Sequence, residues 1–195
     1  MFAKAIFRMG IPVSPKNIFP SNIQGLPTWF EVRVSEKGYL GQRGGVDIAV
    51  AMNPQSYSKD IEEISEGGYL IYDSTWKRNF NRSDINIVEI PLTQLCVDSF
   101  KNPKQRALFK NIAYVGALAA LMEIEYEVLE TIISEQFANK PALIEPNIKA
   151  LNLGRDYVLE NLEYPIGIKL SWRDLLKDKI LISGNEAAGL GAVYG

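Results

Sequence analysis

A nearly uninterrupted apolar run, residues 46–52 (VDIAVAM), constrains the fold of this chain more than any other segment. The run has the length of a strand, and apart from Asp47 it lacks the polar positions of a strand that has one face in water. Such a run is typical of a strand covered on both faces, as in the interior of a mostly parallel sheet. We therefore expect it to be the most buried strand of the fold.

Strand and helix patterns alternate around this run. Apolar and polar side chains alternate over residues 30–34 (FEVRV), and residues 69–72 and 85–90 form two further strand-like segments. Helical spacing predicts helices over residues 2–9, from Tyr57 to an end at Gly67 and Gly68, and over residues 105–123, 125–139 and 146–161. This order predicts an α/β fold, a three-layer Rossmann-like domain with a mostly parallel or mixed sheet.

Composition narrows the functions open to the chain. Its 195 residues fit one compact domain, and a net charge of −2 argues against a nucleic-acid-binding face. The one local basic cluster, residues 101–110, is interpreted as a solvated helix face. No segment approaches the roughly 20 apolar residues that span a bilayer. Residues 1–9 include Lys4 and Arg8 and so do not resemble a signal peptide, and a single cysteine points to the cytoplasm.

Two features of the composition exclude most catalytic chemistry. The sequence contains no histidine, so it cannot form a Ser-His-Asp triad, a Cys-His pair or an imidazole metal site. With one cysteine it cannot hold an iron–sulfur cluster or a thiolate zinc site by itself. Carboxylate or lysine chemistry stays open, although no spacing singles out a pair. Cys96 is interpreted as a small buried apolar residue.

Two polar loops are candidates for ligand binding, because ligands of open α/β sheets bind beyond the carboxyl ends of the strands. The first loop covers residues 19–27 and the second, residues 53–56, ends the apolar run. Their side chains can hydrogen-bond an amide, a hydroxyl or a phosphate, and the same residue types also serve turn chemistry and helix capping. Both interpretations stay open for the candidate site residues, which are Ser21, Asn22, Gln24, Gly25, Asn53 and Gln55.

Glycine-rich segments elsewhere favour structural roles. Residues 41–45 (GQRGG) lack the spacing of a P-loop or a dinucleotide fingerprint and precede a strand, so they predict a loop from which Arg43 can reach an anion. Small residues, including Gly116 and Ala117, mark one face of the helix over 112–122 and favour close packing against another element. Gly154 costs its helix about 1 kcal/mol relative to alanine.

The tail, residues 182–195 (ISGNEAAGLGAVYG), combines a helix start with small residues that permit close packing against a neighbouring surface. Asn185 and Glu186 are suited to the start of a helix, where a short polar side chain caps backbone N–H groups and a carboxylate favours the first turn. A helix of this composition buries little by itself. We therefore expect its packing partner to lie in polypeptide outside this sequence.

Taken together, these segments resemble the gamma subunit, or gamma domain, of the 2-oxoacid:ferredoxin oxidoreductases. The resemblance covers nearly the whole chain. It rests on four stretches, in chain order. The first is VDIAVAMN at 46–53 with the strand that ends in Asp73-Ser74, and the second runs from Lys110-Asn111 to Gly116-Ala117-Leu118. The third is the set Phe137, Lys140, Asn147, Ala150 and Gly154, and the fourth is GNEA at 184–187 with Gly191-Ala192 in the tail. The tail is similar to the opening of the thiamine-pyrimidine-binding domain that follows the gamma domain in fused gamma–alpha chains.

The resemblance implies a division of the chain into residues 1–161 as the gamma domain, 162–182 as a linker and closing segment, and 183–195 as the start of a truncated thiamine-pyrimidine-binding domain. Two departures stand out. The family begins with a strand and a glycine-rich turn before the helix at 2–9, and neither is present. The family's Arg-Gly-Gly loop is replaced by Asn22-Ile23-Gln24-Gly25, so an anion contact from that arginine cannot be transferred.

In function, the resemblance implies a complex that decarboxylates a 2-oxoacid and transfers the acyl group to coenzyme A. Thiamine diphosphate and iron–sulfur clusters belong to the alpha and beta parts, and ferredoxin is reached through the complex. The chain would be a structural, cytoplasmic component that faces coenzyme A at its edge, binds no cofactor alone, and contacts neither nucleic acid nor membrane. The alternatives are a stand-alone Rossmann-like nucleotide-binding regulatory module and a purely structural interaction domain.

Overall fold

The computed structural model describes residues 1–20, 25–41 and 44–195. Ser21, Asn22, Gln24 and Arg43 of the predicted loops lie outside the described residues. The elements are α1 (Phe2–Arg8), β1 (Val13–Ile18), β2 (Trp29–Val34), β3 (Val46–Ala51), α2 (Tyr57–Glu62), β4 (Ile64–Asp73), β5 (Asn86–Ile90), α3 (Leu92–Ser99), α4 (Pro103–Leu121), α5 (Tyr126–Gln136), a 3₁₀ turn (Pro141–Leu143), α6 (Ile144–Asn161) and α7 (Gly184–Tyr194).

The strands form two sheets. β3, β4 and β5 make a parallel sheet in that order, with β4 in the centre, whereas β1 and β2 form a separate antiparallel pair whose register runs from Val13 opposite Val34 to Ile18 opposite Trp29. Apolar side chains cover both faces of the parallel sheet. The predicted α/β fold with a mostly parallel or mixed sheet is therefore confirmed.

The apolar run at 46–52 is not the most buried strand, contrary to the prediction. Within β3 only Ala51 is buried, whereas Leu70, Ile71 and Tyr72 of β4 are fully buried. Ile48 and Val50 pack into the larger core and Ala49 into the smaller one, so both faces of β3 are covered. Among the described residues β3 pairs only with β4. An apolar run thus reports covered faces, but it does not reveal whether a strand lies in the middle of its sheet.

Successive residues of β4 divide the interior into two cores, because neighbouring side chains in a strand point to opposite faces. Ile71 belongs to the larger core, which α1, α3, α4, α5 and α6 complete. Leu70 and Tyr72 belong to a smaller core on the other face, together with Tyr57 and Ile61 of α2. Helices on both faces of the sheet give the three layers that the sequence predicts.

The second predicted helix is shorter than expected. It ends at Glu62, and Ile64, Gly67 and Gly68 already belong to β4. The apolar residues Tyr57, Ile61 and Ile64 pack in the same small core, although the last one reaches it from the strand. Helical spacing therefore continued across a change of element, because both elements face one apolar cluster.

The sequence analysis did not predict strand β1 or helix α3. β1 contains Pro15 and has Val13 as its one buried residue, so it lacks a strand's apolar alternation and depends on pairing with β2. α3 follows Pro91 directly and buries Leu92 and Cys96. The burial of Cys96 agrees with its interpretation as a small apolar core residue.

The basic cluster at 101–110 is more than a solvated helix face. The Arg106 side chain donates hydrogen bonds to the carbonyl oxygens of Phe100 (2.6 Å) and Lys101 (3.3 Å), and Lys149 of α6 donates to that of Ser99 (3.2 Å). Cations near the last carbonyl groups of a helix satisfy these acceptors and favour the negative end of its dipole. Two cations from other helices therefore secure the C-terminal end of α3.

Backbone hydrogen bonds hold the segment over 162–182 against the domain. The amide of Ile166 donates to Leu121 (2.9 Å), that of Leu170 to Met122 (2.9 Å) and that of Arg173 to Met9 (2.8 Å). Gly10 has a φ of 73°, and a β-carbon there would lie 1.8 Å from the Arg173 carbonyl oxygen. The segment contains no regular element, yet it crosses the ends of α1 and α4 at backbone contact.

The last helix, α7, begins at a different cap from the one expected. Ser183 is the N-cap residue, and its hydroxyl accepts a hydrogen bond from the Glu186 amide (3.3 Å). The Glu186 carboxylate in turn accepts one from the Ser183 amide (2.9 Å), which completes a capping box. Asn185 is therefore not the cap, whereas Glu186 does stabilise the helix start.

Among the helices of the described residues, none combines the length and the apolar character that a membrane span needs.

Helices α4 and α6 touch through their backbones at two glycines. A β-carbon on Gly116 would lie 1.9 Å from the carbonyl oxygen of Leu151, and one on Gly154 would lie 1.8 Å from that of Ala113. Both distances are far below van der Waals contact, so neither position has room for a methyl group. The predicted close packing of the Gly116 face is confirmed, and the helix cost of Gly154 is explained by its contact with α4.

We expect Gly116→Ala or Gly154→Ala to destabilise the protein by about 1–3 kcal/mol or more, because the two backbones must separate. Urea unfolding monitored by circular dichroism measures the effect. The matched control is Gly189→Ala in α7, where a β-carbon meets nothing within 4 Å. Alanine there should be neutral or stabilising. Equal stability of the Gly116→Ala variant and the wild type would contradict the packing argument.

Candidate functional site at the carboxyl edge of the sheet

The parallel strands β3, β4 and β5 end at one edge of the sheet. Ala51 ends β3 and is followed by Asn53, Asp73 ends β4, and Thr93 lies in the first turn of α3, just after β5. Ligands of open α/β sheets bind beyond this edge, where loops present polar groups. The candidate site is therefore built here.

A buried carboxylate organises the edge. Asp73 is 5% exposed. It accepts hydrogen bonds from the amides of Thr75 (3.2 Å) and Thr93 (3.2 Å) and from the Thr75 hydroxyl (2.7 Å), and a further short one from the Thr93 hydroxyl. Burial acts to raise the pKa of Asp73, but these hydrogen bonds favour the carboxylate and outweigh it. The pKa of Asp73 consequently lies below its ordinary value.

The same carboxylate satisfies the start of α3. A helix begins with amides that lack partners inside the helix. The Thr93 amide donates to Asp73, and the Gln94 amide donates to the Thr75 hydroxyl (3.0 Å). The place where many α/β proteins bind a phosphate is thus occupied by protein groups.

Helix α4 reaches this edge with two side chains one turn apart. Lys110 places its ammonium 3.6 Å from a carboxylate oxygen of Asp73, and the Tyr114 hydroxyl lies 3.5 Å from the carbonyl oxygen of Ala51. Burial raises the pKa of Tyr114 well above its ordinary value, so this hydroxyl keeps its proton. One helix therefore contacts the ends of both β3 and β4.

A chain of hydrogen bonds links the second predicted loop to strand β2. The Ser56 hydroxyl lies within hydrogen-bond distance of two acceptors, the Asn53 carbonyl oxygen (3.0 Å) and an oxygen of Asp60 (2.8 Å). The Trp29 indole donates to the other oxygen of Asp60 (2.8 Å). Trp29 begins β2, directly after the loop over 19–27. The structure thus connects the end of one predicted ligand loop to the other.

The predicted site residues that the structure describes are exposed. Asn53 accepts a hydrogen bond from the Gln55 amide (3.0 Å), so its side chain does serve the turn, and both side chains are open to solvent. Gly25 is exposed and has a φ of 71°. Ser21, Asn22 and Gln24 lie outside the described residues.

Sequence reasoning missed the groups that organise the edge, namely Asp73, Thr75, Thr93, Lys110 and Tyr114. Asp73 had been interpreted only as the end of a strand. Its position at the end of a buried strand, with a hydroxyl residue two positions later, was a usable signal for a local capping turn. The pairing with Thr93 and Lys110 had no such signal, because these residues lie far apart in the sequence.

The fold and the edge define a parallel α/β domain whose polar groups gather at the carboxyl ends of its strands. Residues 1–157 match the family described as pyruvate ferredoxin/flavodoxin oxidoreductase. The chain belongs to this family, as the resemblance in the sequence predicted.

Curated relatives carry related names. The chain is 29% identical over 149 residues to 2-oxoglutarate oxidoreductase subunit KorA of Mycobacterium tuberculosis. That alignment covers 66% of this chain and 22% of KorA. It is 27% identical over 119 residues to ketoisovalerate oxidoreductase subunit VorA of Methanothermobacter thermautotrophicus, with 60% and 24% covered. The chain thus spans about a quarter or less of the length of these relatives.

Solved structures share the fold. A 2-oxoglutarate:ferredoxin oxidoreductase from Magnetococcus marinus, with 2-oxoglutarate, coenzyme A and succinyl-CoA bound, aligns with a TM-score of 0.83 at 24% identity and covers 98% of this chain and 33% of that one. The gamma subunit of a keto/oxoacid ferredoxin oxidoreductase from Geobacter sulfurreducens aligns with a TM-score of 0.64 at 21% identity, with 80% and 86% covered. The gamma-type fold predicted from the sequence is therefore confirmed.

Asp73 generates a prediction about pH. Its folded pKa is lowered, so the stability it contributes is present above its unfolded value of about 4 and is lost as the pH falls through the folded pKa. Asp73→Asn should therefore destabilise the protein at pH 7 by about 1–3 kcal/mol. The difference from the wild type should shrink below about pH 4. Urea unfolding at pH 7 and between pH 5 and 3 measures it, and a pH-independent difference would contradict the role of the charge.

Proposed function

We propose that this chain is the gamma domain of a 2-oxoacid:ferredoxin oxidoreductase, the complex that converts a 2-oxoacid to an acyl-CoA. The observation that carries the proposal is the family match over residues 1–157. Relatives named as oxidoreductase subunits and a neighbour solved with 2-oxoglutarate and coenzyme A support it. The domain would act as a structural component in the cytoplasm, with alpha and beta parts as partners and ferredoxin reached through the complex.

The composition favours placing the redox chemistry in those partners. Iron–sulfur clusters need several thiolates, and this chain has one cysteine, which is buried in the core. Thiamine diphosphate would supply the decarboxylation chemistry and the clusters would accept electrons, both in other parts of the complex. We accordingly propose that this chain alone shows no turnover.

The residues at the carboxyl edge suit coenzyme A. Asn53 and Gln55 present exposed amides. In this proposal the loop over 19–27 contributes Ser21, Asn22, Gln24 and Gly25. Amides and backbone groups hydrogen-bond the amide, hydroxyl and phosphate groups along a coenzyme A molecule. In this proposal the edge positions the coenzyme, and the acyl transfer takes place against the partner domain.

The capped start of α3 favours this proposal over a stand-alone nucleotide-binding module. A nucleotide phosphate in a Rossmann-like domain binds free amides at a helix N-terminus. Here the Thr93 and Gln94 amides are already used by Asp73 and Thr75.

The assembled complex tests the role of the edge. Asn53→Ala, Asn22→Ala and Gln24→Ala should each weaken coenzyme A binding by about two- to tenfold, as expected for the loss of one hydrogen bond, and should leave the KM for the 2-oxoacid unchanged. Isothermal titration calorimetry with coenzyme A and steady-state kinetics measure the two effects.

Asn86→Ala is the matched control for these variants. Asn86 begins β5 at the opposite edge of the sheet and donates to the Gly67 carbonyl oxygen (2.9 Å). This variant should leave coenzyme A affinity unchanged. Wild-type affinity in all three edge variants would remove the coenzyme from this edge. Tight nucleotide binding by the isolated chain would support the regulatory module instead.

We further propose that α7 is the first helix of the thiamine-pyrimidine-binding part and packs against the remainder of that part. Its residues are exposed, including Leu190 (47%), Val193 (76%) and Tyr194 (85%). An isolated helix of this length is marginal in water, and the glycines Gly184, Gly189 and Gly191 weaken it further. Its stability should therefore depend on a surface that covers it.

Hydrogen exchange measured by mass spectrometry tests the packing of α7. In the isolated chain the α7 amides should exchange within seconds, and in the assembled oxidoreductase they should be protected by at least about tenfold. The buried helix α6 should be protected in both states and so serves as the internal control. Equal exchange of α7 in the two states would contradict this domain junction.

A further inference from the structure

We propose that Lys110 is a phosphate-binding residue of the carboxyl edge, where its ammonium contacts a phosphate group of coenzyme A. This inference rests on the proposed function and adds a charged contact to the exposed amides of Asn53 and Gln55. The sequence analysis named this residue only within the basic cluster at 101–110 and at the start of one stretch of the family resemblance, without a binding role.

The ammonium of Lys110 makes no hydrogen bond to another described residue. Its ammonium carries three donors. Its one ion-pair partner among the described residues is Asp73 at 3.6 Å, a distance beyond that of a normal hydrogen bond. The side chain is only 25% exposed, so much of it is already held by the protein. A half-buried ammonium that has no bonded acceptor in the described part of the chain is well prepared to receive one.

The carboxylate oxygens of Asp73 have hydrogen-bond donors without Lys110. Four hydrogen bonds from Thr75 and Thr93 already fill its carboxylate. Asp73 is 5% exposed whereas Lys110 is 25% exposed, so the part of this pair that solvent or a ligand can reach is the ammonium. Asp73 lies 3.6 Å from the ammonium, and the packing of α4 against α6 and the sheet sets the position of the lysine.

The register of the sheet places Lys110 beside the Asn53 loop. In the parallel pairing, Ala51 lies opposite Tyr72, so the end of β3 lies beside Asp73 at a strand spacing of about 5 Å. Tyr114, one helical turn after Lys110, reaches the Ala51 carbonyl oxygen. The ammonium, Asp73 and the beginning of the 53–56 loop therefore lie at the same edge of the sheet.

The chemistry of this arrangement favours a phosphate. The amides at the start of α3 are occupied, so they cannot bind an anion. A lysine ammonium binds a phosphate oxygen as a point charge, without the fixed geometry that arginine imposes. The pyrophosphate and the 3′-phosphate are the anionic groups of coenzyme A, and both present this acceptor.

The experiment measures coenzyme A binding to the assembled oxidoreductase by isothermal titration calorimetry, together with the melting temperature of every variant. Lys110→Met should weaken binding by about tenfold, as expected for one charge-assisted contact, and Lys110→Arg should restore most of the affinity. Lys104→Met, an exposed lysine in the first turn of the same helix, is the matched control and should bind like the wild type.

Asp73→Asn separates binding from stability. It should lower the melting temperature while coenzyme A affinity stays within about twofold of the wild type, because the ammonium remains. Titration with dephospho-CoA assigns the phosphate. If the loss in Lys110→Met disappears with this probe, the contact is to the 3′-phosphate; if the loss persists, it is to the pyrophosphate.

Two results would overturn the inference. One is wild-type affinity in Lys110→Met while Asn53→Ala weakens binding, which would leave the proposed coenzyme edge in place without the lysine. The other is an affinity loss in Lys110→Met that Asp73→Asn reproduces in proportion to its melting temperature, which would make the pair structural. If Asn53→Ala, Asn22→Ala, Gln24→Ala and Lys110→Met all bind normally, the coenzyme-facing function itself fails.

Discussion

The backbone contact between α4 and α6 fixes the position of the helix that completes the carboxyl edge. Because Gly116 and Gly154 carry no side chains, the two helices meet at carbonyl groups, and α4 has little freedom to shift along its partner. Tyr114 and Ala113, next to this contact, are buried in the interior. Lys110 lies one turn before Tyr114, so its place beside Asp73 follows from the same packing.

A second constraint is the buried carboxylate at the end of β4. An isolated charge in an apolar interior is expensive, and Asp73 avoids that cost through hydrogen bonds from two threonines that follow different strands. The same bonds satisfy an amide in the first turn of α3, that of Thr93, and tie the turn after β4 to that helix. The turn after β4 and the start of α3 are thus joined by hydrogen bonds within the protein itself.

The sequence was informative where one element determines its own pattern. Apolar faces identified β3, β4 and β5, and helical spacing located α1, α4, α5 and α6, because burial on a regular element leaves a period. The periodic pattern gave a wrong helix end at Ile64, because strand and helix face the same core there. It gave no strand at β1, because that strand is held by backbone pairing more than by apolar packing. It also could not show that β3 has one pairing partner among the described strands.

Only part of the candidate site could be predicted from the sequence. Asn53 and Gln55 stand out as turn residues after an apolar strand, and such a signal is local. Asp73 and Lys110 meet only through the packing of α4 onto the sheet, and no spacing encodes that contact. The cavities that the described residues form around Glu123, Ile124 and Tyr126 lie at the α4–α5 connection, away from this edge. A ligand on exposed loops gains little burial from one domain, and small-molecule sites normally enclose most of their ligand. A coenzyme bound at this edge therefore needs a second domain to cover it.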